Sequence, residues 1–185
     1  MDIIELFIDE EDNVSGIDAI SIVENPAIQE DFVYLKNQEF KLAELDKEKR
    51  LLLGPALIPN KPIFRKSGEK EYYIYFSRNT VRKVSELFLQ RAKQHRSTLE
   101  HESPLNGLTV VESWIVEGEE DKTRLYGMDV PIGTWMVSMK VENDDVWENY
   151  IKTGKVKGFS IEGYFADKLE RPNEPNKLSE CECVA

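Results

Sequence analysis

Val156-Lys157-Gly158-Phe159-Ser160-Ile161-Glu162-Gly163-Tyr164-Phe165 constrains the architecture of this chain more than any other segment. It alternates like a strand, with Phe159 and Ile161 on one face and Gly158, Ser160 and Glu162 on the other. A nucleophile elbow needs glycine at both −2 and +2 around the serine, on a strand-to-helix turn. Gly158 satisfies the first position, but Glu162 stands at the second and the flanks are strand-like. The α/β-hydrolase architecture is therefore excluded on motif and topology together. Ser160 presents its hydroxyl from the face of a strand, where Gly158 and Gly163 let other backbone approach closely. Taken alone, a strand serine is usually structural. As a nucleophile it would need a base, and histidine suits that role at neutral pH. The chain has two histidines, His95 and His101.

Around this strand, Ile3–Ile8 and Ile17–Val23 read as strands, and Pro26 ends the second. Residues 36–50 are mostly charged and read as a weak helix or a connector. Leu51–Ile58 reads as a buried strand broken at Gly54-Pro55, and Glu71–Phe76 as an aromatic strand. Asn79 or Thr80 can cap a helix reaching about Gln94, with Val81, Val84, Leu87, Phe88 and Ala92 on one face. His95 falls near that helix's C-terminus, and His101 in the turn region before a strand at Leu108–Val116. Thr123–Val130 and Gly133–Val141 read as an antiparallel pair. Asn143 caps a short helix, Asp144–Thr153, which Gly154 stops. Many strands, two good helices and no β-α alternation imply a mainly β (α+β) fold, a barrel or sandwich with helices packed outside. The expected organisation is N-terminal strands over 1–35, the charged connector 36–50, one core over 51–168 and a tail over 169–185.

With 185 residues, 41% hydrophobic and 32% charged, the composition is that of one soluble core. No apolar run approaches the roughly 18 residues of a membrane span. The acidic start MDIIELFIDEED lacks the positive region of a secretory signal, which favours a cytoplasmic location. The net charge is −11, of which residues 1–50 carry −9. Such a balance argues against a nucleic-acid surface, which needs clustered Lys and Arg. Cys181-Glu182-Cys183 cannot complete a four-ligand zinc site and reads as a reduced tail.

TLEHESPLNGLTVVESWIVE (98–117) and GTWMVSMKVENDDVWENYIKTGKVKGFSIEGYF (133–165) resemble the prohead, or capsid maturation, serine proteases of tailed bacteriophages, in the XkdF-type branch. The likeness runs from about Leu51 to Asp167 and touches GIDAISIVENPAI near the N-terminus. It implies an assemblin-like β-barrel ringed by helices. It also implies that His101, in the family's H-E segment, takes the proton of Ser160, in its G-F-S segment. No metal or organic cofactor is implied. The implied substrates are the phage scaffold and the N-terminal segment of the major capsid protein, inside the prohead in the host cytoplasm, with homodimerisation possible as in assemblins.

Relatives orient the base with an acid or a second histidine, often from a segment after the serine. Here a similar phrase, Ser21–Ala27, lies at the N-terminus, and the position matching the acid is Ala19, or Asp18 if the register slips. A slip of one residue would turn Asp18 to the other face. Glu112, an acid inside the apolar strand after His101, needs solvent or a partner. It ranks first as third member, Asp18 second, with Glu102 taken as solvated and a Ser-His dyad left open. The alternative function is a catalytically silent capsid-assembly protein that keeps the barrel and binds scaffold.

Overall fold

The computed structural model describes residues 2–9, 14–26, 33–34, 49–167 and 181–184. The charged connector 36–50 and the segment following Asp167 therefore lie largely outside the described residues. The strands are β1 (Asp2–Phe7), β2 (Gly16–Val23), β3 (Val33–Tyr34), β4 (Leu51–Leu57), β5 (Ile63–Ser67) and β6 (Lys70–Phe76). After helix α1 (Arg78–Gln90) come β7 (Ser97–Leu99), β8 (Ser103–Leu105), β9 (Leu108–Ile115), β10 (Trp135–Val141), β11 (Gly158–Asp167) and β12 (Cys181–Val184). The fold is mainly β. Among the described residues no helix is long and apolar enough to cross a membrane.

Two sheets share the core. The larger runs β5-β6-β1-β11-β2-β7-β8, with β12 paired to β11, and the smaller runs β3-β4-β10-β9. Neither path closes on itself among the described residues, since β5 and β8 end the larger one. The two are joined through a single apolar cluster that takes Ile20, Ile22, Phe159 and Ile161 from the first and Leu52, Leu57, Trp135 and Val137 from the second.

β10 shows why the sequence folds this way. Its alternate residues Trp135, Val137, Met139 and Val141 enter the shared core, while Met136 joins a second cluster with Leu53, Val116, Met128 and Val130. A strand apolar on both faces must be covered on both. The cover on the second side is the segment expected to be a strand over Thr123–Val130, and here the structure corrects the sequence reading. Asp121 caps a 3-10 helix over Lys122–Tyr126 by accepting from the Thr123 N–H, and Gly127 closes it with φ 74°. The turn chemistry of these two residues overrides the strand-like composition between them. The partners of β10 are instead β4 and β9, both antiparallel.

Three smaller differences have local causes. The cap of α1 is Ser77, whose side chain accepts from the Thr80 N–H, so the helix begins earlier than the Asn79 or Thr80 reading. The same helix ends at Gln90 because Ala92 turns left-handed (φ 54°), and the Lys93 N–H returns to the Phe88 carbonyl. That is the Schellman arrangement, with alanine where glycine is usual. Gly54-Pro55 does not break β4: the two residues pair with Val137 and Met136, and the chain bulges just after them, at Ala56, next to which proline's missing N–H is tolerated.

Candidate active site

β11 carries Ser160 with the alternation expected of it. Phe159 and Ile161 are 0% exposed in the shared core, and Ser160 is 3% exposed on the opposite face. In the antiparallel pairing of β11 with β2, Ser160 stands opposite Ser21. In the parallel pairing of β2 with β7, Ser21 stands opposite Thr98. Ser160, Ser21 and Thr98 thus form a row of hydroxyls across three strands, about 4.8 Å apart from strand to strand. Glu162, two residues along β11, shares that face. The Thr98 hydroxyl donates to its Oε1 across the gap.

His101 reaches this row through the turn between β7 and β8. The Glu102 N–H donates to the Leu99 carbonyl at 3.0 Å, closing a four-residue turn. Its two central residues, Glu100 and His101, both have positive φ, 51° and 61°. This is the signature of a primed hairpin turn, which ordinarily selects Asn and Gly. Two larger residues in that conformation store strain, which surrounding contacts must hold in place. Those contacts are visible. The His101 N–H donates to Ser21 Oγ at 3.1 Å, and Ser21 Oγ donates to the Thr98 carbonyl at 3.2 Å. The Glu100 N–H donates to the Ile22 carbonyl at 3.1 Å, while Glu100 Oε1 accepts the Glu24 N–H at 2.6 Å. The His101 ring then lies with Nδ1 3.0 Å from Glu162 Oε1, the two side chains 21% and 22% exposed.

The structure therefore brings His101 to the face of β11 that bears Ser160. No hydrogen bond joins the Ser160 hydroxyl to the ring; the direct partner of the ring is Glu162. Catalytic contacts in unliganded sites are often loose and tighten with substrate. The parts of the arrangement are a buried hydroxyl, an imidazole with one nitrogen engaged, and a carboxylate engaging it.

The two acids favoured from sequence lie elsewhere. A register shift between Ser138 and Met139 makes a bulge in the pairing of β9 with β10, so Val111 and Glu112 both face solvent. Glu112, half exposed, binds Lys122 Nζ at 3.0 Å. Asp18 accepts from Lys93 at 2.5 Å and from Arg96 at 2.9 Å. Its carboxyl is raised by burial but lowered more by the hydrogen bonds and charges of Lys93 and Arg96, so it titrates below its ordinary value of 3.8. Neither contacts His101. Glu102 is exposed, and His95 Nδ1 pairs with Thr109 Oγ1 at 3.1 Å, outside the row. In sequence, Glu162 reads only as the residue that spoils a nucleophile elbow. The signal for it was the period-2 face it shares with Ser160.

The family model described as "putative phage serine protease XkdF" matches residues 41–170, which include His101, Ser160 and Glu162. No match emerges among curated proteins or among solved structures.

Proposed function

Because this chain belongs to the XkdF family of phage serine proteases, we propose that it is a serine endopeptidase acting through Ser160 and His101. The observation that carries the reading is the turn at Glu100-His101, strained and tethered through Ser21, which delivers one of the chain's two histidines to the site face of β11. A histidine on an unconstrained loop would need no such scaffold.

Ser160 Oγ attacks the scissile carbonyl of an extended peptide as its proton passes to the His101 ring. The tetrahedral oxyanion collapses by breaking the C–N bond, and the leaving amine takes the proton back from the ring. Water then hydrolyses the acyl-enzyme by the same transfers in reverse. The proposed substrates are the phage scaffold and the N-terminal segment of the major capsid protein, processed inside the assembling prohead. The proposed architecture is an assemblin-like barrel in which the longer sheet wraps the shared core. Both sheets feeding one apolar cluster supports it.

The test is co-expression of the chain with the capsid and scaffold proteins of its own phage, alongside Ser160→Ala and His101→Ala. Trimming should be lost in both variants, by about 10³-fold or more in rate. Equal trimming in all three would sink the protease reading and favour the silent assembly protein.

A further inference from the structure

We propose that Glu162 is the positioning residue that orients His101 for proton transfer, an assignment that rests on the protease reading above. A carboxylate has no proton to give, so the 3.0 Å contact requires His101 Nδ1 to be the donor and Glu162 Oε1 the acceptor. In the neutral ring this leaves the lone pair on Nε2, the nitrogen free to take the Ser160 proton. When that proton arrives, the imidazolium forms directly against a negative charge.

The strand geometry suits this. Residues two apart on one strand face are about 6.8 Å apart. An imidazole with a hydrogen bond of about 2.9 Å at each nitrogen spans a gap of that order. Ser160 and Glu162 are thus spaced as two ends of a cradle that the ring would bridge when Nε2 engages the Ser160 hydroxyl. Thr98 donates to the same carboxylate oxygen, holding it toward the ring. Ser21, between Thr98 and Ser160 in the row, fixes the backbone of His101. The neighbouring acids of the turn have other duties, Glu100 binding the Glu24 N–H and Glu102 facing solvent, while Asp18 and Glu112 lie elsewhere, paired with lysines.

The scarcity of histidine makes the test direct. In the full-length chain labelled with ¹⁵N-histidine, and with His95→Gln to assign the signals, neutral His101 should carry its proton on Nδ1. A predominant Nε2–H tautomer would overturn the assignment without any change at Glu162. The companion measurement is the rate at which a fluorophosphonate probe labels Ser160. Glu162→Gln should slow labelling by about 10²- to 10⁴-fold with the thermal midpoint little changed. Glu162→Asp should recover part of the rate. A wild-type labelling rate in a folded Glu162→Gln would overturn the assignment alone. Failure of the probe to label Ser160 even in the wild type would overturn the protease reading and, with it, this assignment.

Discussion

Gly163 shows how much a single position can decide beside the site. A Cβ built there would lie 2.2 Å from the Gly16 carbonyl oxygen and 2.8 Å from Ile17 Cα, both main-chain atoms. Backbone cannot swing aside as a side chain can, so β11 would have to separate from the start of β2. Gly163→Ala is expected to cost about 2–3 kcal/mol or more, read as a lowered urea midpoint. A midpoint equal to wild type would mean the approach is looser than drawn. A close approach of other backbone at Gly163 is legible in the sequence; which backbone approaches, Gly16 and Ile17 of β2, is not. Glu162 teaches the converse. Its face was legible from alternation, yet its partner sits 61 residues away, on a turn that composition does not announce.

Between elements, Asp18 ties β2 to the segment leaving α1 through Lys93 and Arg96. Because its folded-state pKa lies below the ordinary 3.8, the native state binds this proton less readily than the unfolded chain. The stability it contributes is fully present above the unfolded value and is lost as pH falls through the folded one. Asp18→Asn should therefore lower stability at pH 7 by roughly 0.5–1 kcal/mol, the range for a half-exposed network. The gap to wild type should close below pH 3.8. A gap that persists unchanged in acid would show that the carboxylate charge is not its source. The sequence-level objection to Asp18, that it lies one residue out of register with the site face, matches where β2 turns it: Ser21 and Asp18 lie on opposite faces of the same strand. The hairpin of β7 and β8 is the element that sequence reading under-described, as a turn region without strands. Three-residue strands carry too little periodicity to register, and the pairing of β7 with β2 is parallel and remote in sequence.

For the molecule as a whole, the site is supported from behind by the core. Phe159 and Ile161 anchor β11 in the cluster common to both sheets, on the face opposite Ser160. Phe159→Ala should destabilise the protein by about 3–5 kcal/mol. The loss should appear in one cooperative unfolding transition, since both sheets share that cluster. Two separated transitions would show that the sheets hold independently. Legible in the residue pattern alone are the mainly β class, most of the strands that carry the core, the exclusion of a nucleophile elbow, and the Ser160–His101 pair as a question. Those follow from period-2 alternation and residue scarcity, which are local or countable. The folded arrangement alone reveals that β10 pairs with β4 and β9, that Thr123–Val130 covers a sheet instead of joining one, and that Glu162 stands against the ring of His101. Each depends on which strands lie side by side. That is set by the burial of a shared core across the whole chain, and no window of sequence contains it.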